Sequence, residues 1–351
     1  MFFWFEILAL LIVLALIEQF FNIKWLFVIS ALVMSLIAGL RFYVGYDFGN
    51  YAGYYYTLLM KSVPYYKFND YGWIVLNRLL AWIGVPEFLF FSIVSFTTII
   101  ALAWYFRKYS IIPATMLLYY FARFYFSRDM GQIRQSLALA LALFAIQFVV
   151  KKRFWPFFII IIISTSIHIG AAFLLLIYPA YIILDKYPIE IKKVYLYGIL
   201  VGVLFSIFVI LVGPITAQYA GRFQTYLMTA SWTGLLNPIL YYQLAISSWG
   251  VWTFTKYRGE MSQQQFAELI MYTIGTIFLA VFAGFNVAGG RLSTTFVTLE
   301  GKLIFDYASK IFGEKKSALL VTVLAVLIFF VLLIMTGAIR YFSPYTFNIS
   351  V

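Results

Sequence analysis

The sequence predicts an all-α fold, a polytopic bundle of transmembrane helices. Of the 351 residues, 64% are hydrophobic and only 11% are charged, whereas a soluble domain rarely exceeds about half apolar residues. Apolar runs of helix-spanning length recur from one end to the other, so the predicted spans are helices rather than barrel strands. No stretch has the composition of an independent soluble domain, and we predict one integral membrane domain over residues 1–351.

The first part of the chain contains five predicted spans and one long polar segment. Residues 41–86 are rich in tyrosine and tryptophan, which favour the headgroup layer of a membrane. We therefore expect interfacial amphipathic helices in this loop. The spans are about Phe2–Phe20, Trp25–Leu40, Glu87–Phe106, Ile111–Phe126 and Ile133–Val150.

The stretch Phe154–Leu184 is too long for one ordinary helix and is interrupted by the polar sequence Ser164–Gly170. We predict two short passes that meet at this break, because irregular backbone is tolerated where it lines a cavity. A second polar loop covers residues 213–238. The later spans are about Val194–Val212, Ile239–Phe254, Phe266–Phe285, Leu292–Lys310 and Ser317–Ile339, which gives about twelve passes.

The distribution of basic residues predicts the orientation of the chain and explains most of its net charge of +12. Successive loops of a polytopic protein lie on alternate sides of the membrane. One side holds 14 of the 25 basic residues in short loops, 11 of them lysine, and this side is predicted to be cytoplasmic. Because phosphate recognition prefers the planar arginine fork, function is sought on the outer side. The outer set contains Arg41, Arg78, Arg123, Arg128, Arg134, Arg222, Arg291 and Arg340.

Several kinds of chemistry and partner are excluded by composition. There are no cysteines and one histidine, which excludes disulfides and a multi-histidine metal site. No basic stripe interleaved with aromatics is present, so no nucleic-acid partner is predicted. No phosphate-binding G-x-x-x-x-G-K-[ST] loop occurs, and we predict no cofactor.

The sharpest local motif lies where the second span ends. It reads Arg41-Phe-Tyr-Val-Gly45-Tyr-Asp47-Phe-Gly49-Asn50-Tyr51. The glycines allow tight turns and close backbone approach, Arg41 could clamp an oxygen anion, and Asp47 could orient that arginine or bind a sugar hydroxyl. The alternative is a salt-bridged loop corner with an interfacial aromatic belt.

His168 is the one side chain that titrates near neutral pH when unperturbed. It lies at the predicted break and could act as general base toward an acceptor hydroxyl. The alternatives are a structural histidine bonded to a freed backbone carbonyl, and Asp47 as the base.

Four segments together resemble the EpsG-type family of Wzy-like polysaccharide polymerases. The first is the R-x-x-x-G-x-D-x-x-x-Y pattern that begins at Arg41. The others are Arg134-Gln135 with Ala138, His168 followed by Ala171, and Arg222 with Tyr226. One departure is that Ile169-Gly170 follow the histidine, where the family pattern places a hydroxyl residue.

The resemblance implies a GT-C-like membrane glycosyltransferase of the bacterial inner membrane, with its active site facing the periplasm or exterior. Such an enzyme transfers a growing glycan from undecaprenyl diphosphate to a lipid-linked repeat unit, such as that of an O-antigen or exopolysaccharide. Its implied partners are these lipid-linked oligosaccharides, membrane lipids and other polysaccharide assembly proteins. A flippase or transporter of lipid-linked sugars, a glycan ligase and an acyltransferase are the alternatives.

The leaving diphosphate of such a reaction develops negative charge. Metal-dependent enzymes hold a neutralising ion with carboxylates, but the outward acids of this chain are well separated in sequence. Arginines can supply the same stabilisation, so we predict no metal. The catalytic candidates are His168 and Asp47; the diphosphate and sugar candidates are Arg41, Arg128, Arg134, Arg222, Arg291, Tyr51, Tyr226 and Gln135.

Overall fold

A computed structural model of the chain describes residues 2–62, 68–187, 190–219, 224–285 and 292–347, without the side chains of residues 225 and 226. No β-strand occurs within these ranges, so the all-α prediction is confirmed. Seven of the described helical segments are long and apolar enough to cross a membrane. They are Phe2–Phe21, Glu87–Tyr109, Ile133–Val150, Ile169–Lys186, Ile191–Tyr219, Gln263–Val281 and Glu314–Met335.

Two shorter apolar helices also occur, Leu26–Gly39 and Phe154–Ile167. The count of about twelve passes, the GT-C-like arrangement and the single domain stay predictions. The longer helices are α1 (Phe2–Phe21), α2 (Leu26–Gly39), α3 (Phe48–Leu59), α4 (Tyr71–Trp82), α5 (Glu87–Tyr109), α6 (Pro113–Tyr120), α7 (Ile133–Ala142), α8 (Phe154–Ile167), α9 (Ile177–Lys186), α10 (Ile191–Thr216), α11 (Pro238–Lys256), α12 (Gln263–Val281), α13 (Glu300–Phe312) and α14 (Glu314–Phe329).

Several helices continue in another helical form, which matters for the site. A π-helix, Phe121–Tyr125, follows α6 and leads into Phe126–Arg128, whereas a 3-10 helix, Ile169–Leu176, follows α8. The helix is therefore interrupted at His168, within the predicted break Ser164–Gly170, and the prediction of two short passes that meet there stays a prediction. The prediction of one continuous span over Leu292–Lys310 is wrong, because residues 295–299 form turns and α13 begins at Glu300.

Contacts divide the chain into two compact units. The first comprises Met1–Ala145, Phe158–Ala172 and Phe312–Val351. In this unit, α2 packs on α5 and α6, and α1 packs on α6 and α14. The carboxylate of Glu18 accepts hydrogen bonds from Ala114 N at 2.9 Å and Thr115 N at 3.0 Å. It therefore caps the amide groups that the first turn of α6 leaves without helical partners.

The long loop after α2 forms two helices of 12 residues each, α3 and α4. The prediction of helices in this loop is confirmed, and their place at the interface stays a prediction. Ring stacking fixes α3 on α5, with centroid distances of 4.2 Å for Tyr55–Phe90 and 4.6 Å for Phe48–Phe91. Phe48 and Phe91 of this packing also lie beside the guanidinium of Arg41.

The second unit comprises Ile146–Phe157 and Phe173–Ile311, and in it α9, α10 and α11 pack on α12. A buried charged cluster joins α13 to α12. Lys302 Nζ lies 2.5 Å from Glu268 Oε2 and 2.7 Å from Asp306 Oδ2. All three side chains are buried, and Glu268 also accepts a hydrogen bond from Gln264 Nε2 at 3.1 Å, so the two carboxylates share the buried cation and are not left unpaired.

Candidate functional site

His168 lies in the irregular turn between α8 and the following 3-10 helix. Its backbone N–H donates to Ser164 O at 3.0 Å, in the last helical turn of α8. Its Nδ1 accepts a hydrogen bond from Gly170 N at 3.2 Å. Because Nδ1 is the acceptor, the neutral ring carries its proton on Nε2. In this geometry the imidazole is arranged to donate from Nε2 more than to take a proton at Nδ1.

Arg134 lies in the first turn of α7 and forms an ion pair with Asp70, which immediately precedes α4. The second carboxylate oxygen of Asp70 accepts a hydrogen bond from Ile169 N at 3.1 Å. Asp70 therefore joins the guanidinium to the backbone amide that follows His168. The Arg134 side chain keeps 21% of its surface exposed, so it is accessible, whereas Arg41 and Arg128 are buried.

Two aromatic rings flank Arg134. Its guanidinium lies 4.3 Å from the centroid of Phe68 and 5.9 Å from that of Tyr51. The Tyr51 ring stacks on Phe68 at 5.6 Å and is almost fully buried. Its hydroxyl interacts electrostatically with Arg134, Asp47 and Arg41. Tyr51 thus connects the motif after α2 to the motif that opens α7. We call Tyr51, Asp70, Arg134 and His168 the Arg134 cluster.

Arg41 is buried rather than outward-facing, with 1% of its surface exposed. It donates to Ala38 O and lies 5.2 Å from the ring centroid of Phe91 and 5.6 Å from that of Phe48. Its Nε and Nη2 atoms are buried without a hydrogen-bond partner. Burial lowers the pKa of Arg41 to about 10, so the side chain stays charged at neutral pH.

A small cavity lies beside Arg41, lined by the polar residues Asp129, Ser136, Ser95 and Thr98 and the apolar residues Phe91, Val94 and Ile133. Its volume is about 10 Å3, the space of a single water molecule. A diphosphate therefore does not reach Arg41 in this conformation, although the sequence predicts Arg41 as a clamp.

Asp129 occupies the turn between the helix that ends at Arg128 and α7. Its carboxylate accepts hydrogen bonds from Tyr120 Oη at 2.7 Å and from Ser136 Oγ at 2.9 Å. Burial raises the pKa of this carboxyl to about 6. Arg128 is also buried and lies 4.3 Å from the Phe124 ring centroid. It interacts electrostatically with Tyr120 and Asp129.

Asp47 precedes α3 and is half-buried; its side chain makes no hydrogen bond to the helix N-terminus. Gly45, two residues earlier, has a φ of +103°, and a Cβ atom there would lie 1.9 Å from Met130 O. Only glycine fits such an approach between two stretches of backbone. The loop that carries Asp47 is thus held against the turn that carries Asp129.

The remaining predicted residues fall outside this arrangement or outside the described residues. Gln135 is buried in α7. Arg78 and Arg340 are exposed. Arg222 and Arg291, and the side chain of Tyr226, lie outside the described part of the chain. Their predicted roles stay predictions.

Sequence reasoning missed the positions of Asp70 and Asp129, both treated only as scattered outward acids. The partners of Asp70 are 64 and 99 residues away, so local spacing carries no signal for them. It also missed Tyr345, which donates to Ile37 O at 2.6 Å and lies within electrostatic reach of Arg41. Within the described ranges, no three His, Cys, Asp or Glu side chains are grouped so that they could hold a metal ion.

The arrangement defines a polytopic helical membrane protein with arginines, carboxylates and aromatic rings gathered between α2, α3, α4, α7 and α8. The model of the EpsG family matches residues 24–347, and the chain therefore belongs to the EpsG family. It is 27% identical over 303 residues to the amylovoran biosynthesis protein AmsC of Erwinia amylovora, a match covering 81% of this chain and 79% of that protein. No solved structure matches the chain.

Proposed function

We propose that this protein is a membrane glycan polymerase of exopolysaccharide biosynthesis. It transfers a growing polysaccharide from undecaprenyl diphosphate to a lipid-linked repeat unit at the periplasmic or extracellular face of the inner membrane. Family membership and a relative whose name specifies amylovoran biosynthesis support this activity. The observation that carries the proposal is the position of Arg134, which is flanked by the rings of Tyr51 and Phe68 and linked through Asp70 to the turn of His168.

The leaving group of this reaction is a diphosphate, and its negative charge grows as the glycosidic bond breaks. Arg134 is the guanidinium exposed enough to contact it, and its planar fork suits two phosphate oxygens. Arg41 and Arg128 lie deeper and contribute positive potential in a region where water is excluded and charges interact strongly. Arg222, Arg291, Tyr226 and Gln135 are further candidate contacts in this proposal.

The acceptor hydroxyl must lose a proton during the transfer. In the observed turn, His168 is arranged to donate through Nε2. Asp47 is half-buried and makes no cap hydrogen bond, so it is the better placed of the two candidate bases. In this proposal His168 hydrogen-bonds a substrate oxygen, and Asp47 accepts the proton.

The test is a reaction of purified protein with a defined repeat unit on undecaprenyl diphosphate, in chelator and without added metal. We expect products of two or more repeat units. The Arg134→Gln variant should lose them, whereas Arg78→Gln, which changes an exposed arginine of α4, should keep them. Movement of single units across vesicles without elongation would support a flippase instead. A strict requirement for a divalent ion would contradict the arginine-based mechanism.

A further inference from the structure

The Arg134 cluster is held together by a residue to which the sequence assigns no role. Both carboxylate oxygens of Asp70 are occupied, one by the Arg134 guanidinium and the other by Ile169 N at 3.1 Å. The side chain is 9% exposed. An acid that only neutralised Arg134 would not need the second, geometrically separate hydrogen bond.

The backbone around Asp70 is fixed against the end of α8. A Cβ atom on Gly72 would lie 2.3 Å from Ser166 Oγ and 2.9 Å from the Ser166 carbonyl carbon and oxygen. These contacts are shorter than real side chains tolerate, so the segment Asp70–Gly72 approaches the turn as closely as backbone allows. The Asp70 carboxylate therefore has little freedom to leave Ile169.

Ile169 opens a 3-10 helix, where the first N–H groups have no partner in the helix itself. Asp70 caps this N–H from 99 residues away in sequence. The neighbouring amide, Gly170 N, holds the His168 ring through Nδ1. The orientation of His168 and the position of Arg134 consequently depend on the same carboxylate.

We propose that Asp70 is a positioning residue that sets the distance between Arg134, which binds the diphosphate in the proposed mechanism, and the imidazole of His168. This inference rests on the proposed polymerase activity. Asp70 itself touches no substrate. One carboxylate oxygen pairs with Nη1 of Arg134. The other accepts the hydrogen bond from Ile169 N and so fixes the turn in which Gly170 N donates to the His168 ring.

A double-mutant cycle tests the coupling. Asp70→Ala removes both the ion pair and the cap, and we expect the rate of polymerisation at saturating donor to fall about 30-fold or more. Asp70→Asn keeps an oxygen acceptor for Ile169 N and should recover part of this loss, to within about tenfold of the unmutated protein. In the His168→Ala background the loss caused by Asp70→Ala should be several-fold smaller than in the unmutated protein, because coupled residues are not additive, and the part that remains is due to the lost ion pair with Arg134.

The controls separate this inference from the proposed function. If the unmutated protein makes no polymer, the proposed function fails before Asp70 is tested. If it makes polymer, but the losses of Asp70→Ala and His168→Ala multiply, the positioning role is overturned. If Asp70→Ala is not recovered as folded protein, Asp70→Asn in the two backgrounds carries the same test. Asp185→Asn, which disrupts the Lys152–Asp185 ion pair of the other unit, should leave the rate unchanged.

Discussion

At the residue scale, the arginines of the first unit differ sharply in what surrounds them. Arg134 has a counter-ion and an exposed surface, whereas Arg41 has two buried nitrogens without partners. A buried charge that lacks a paired acid costs several kcal/mol. In the proposed mechanism the two arginines therefore have different tasks, contact with the diphosphate for Arg134 and long-range charge for Arg41.

The first prediction concerns the shape of the Arg134 side chain. Arg134→Lys keeps the positive charge beside Asp70 but loses the planar fork, so polymerisation should fall at least about tenfold. Arg78→Lys is the matched control on the exposed surface of α4 and should change the rate less than about twofold. Quantifying labelled repeat units per chain on a gel measures both. Equal effects of the two changes would contradict the role of Arg134.

The second prediction follows from the buried carboxyl of Asp129. Its pKa in the folded protein, about 6, lies above the ordinary value of 3.8. The stability that it contributes is therefore present below about pH 4 and is lost as the pH rises through 6. The unfolding temperature in detergent should fall between pH 5 and pH 7. In Asp129→Asn this fall should be smaller, because the amide does not titrate. The control His168→Gln should show the same fall in unfolding temperature as the unmutated protein. An equally large fall in Asp129→Asn would refute the assignment of this pH dependence to Asp129.

At the element scale, the candidate site depends on how closely α4 approaches the end of α8. Gly72 is the contact point, and its neighbour Asp70 supplies the cap and the ion pair. Two short helices of a loop thus act as part of the membrane bundle of the first unit. Their positions are set by backbone contact and ring stacking.

Gly72→Ala should therefore destabilise the protein by about 1–3 kcal/mol, because a new methyl group overlaps Ser166. Gly53→Ala in α3 is the matched control. No atom lies within 4 Å of a Cβ there, so the change should be neutral or stabilise by up to about 1 kcal/mol. Thermal unfolding of both variants in detergent measures the difference. A Gly72→Ala protein as stable as Gly53→Ala would show that the close approach is not required.

Another element-scale prediction concerns α12 and α13 in the second unit. Lys302→Met leaves Glu268 and Asp306 buried without their cation, and we expect a loss of about 3–5 kcal/mol. The more exposed pair Lys310–Glu260, at 3.3 Å, is the comparison. Lys310→Met should cost no more than about 1 kcal/mol. Similar unfolding temperatures for the two variants would mean that the buried cluster is not stabilising.

At the scale of the whole molecule, the distribution of lysine and arginine predicts which side faces the cytoplasm. The chain has no cysteines, so any maleimide labelling of a single-cysteine variant reports on the introduced cysteine. A membrane-impermeant maleimide should label Tyr71→Cys in intact cells and Lys151→Cys only after permeabilisation. Both positions are exposed in the structure. The opposite labelling pattern would reverse the orientation and move the candidate site to the cytoplasmic face.

Hydrophobic patterning predicted much of the fold. The first helix was expected over Phe2–Phe20 and is Phe2–Phe21, and the break near His168 was found from its polar residues. Patterning failed at Leu292–Lys310, where residues 295–299 are not helical and α13 begins at Glu300. Lys302 is buried there with Asp306 of the same helix and Glu268 of α12. The partner on α12 is 34 residues away and is invisible in a local window.

Three of the four residues of the Arg134 cluster were predictable from the sequence, but Asp70 and the geometry were not. The motifs identified Arg41, Tyr51, Arg134 and His168, and the structure connects the first three electrostatically and joins the last two through Asp70. From the sequence alone, an arginine at the end of a span is predicted to face outward. The rings of Phe48 and Phe91 that cover Arg41 belong to later helices, so its burial required the tertiary structure.

The contact of Gly45 with the Met130 carbonyl has a mechanical consequence. Main chain lies directly on main chain there, with no room for a methyl group. The loop before α3 and the turn before α7 are thus in direct backbone contact, and neither moves past the other independently. A ligand that displaces one of these segments would also displace the other, so Asp47 and Asp129 would move together.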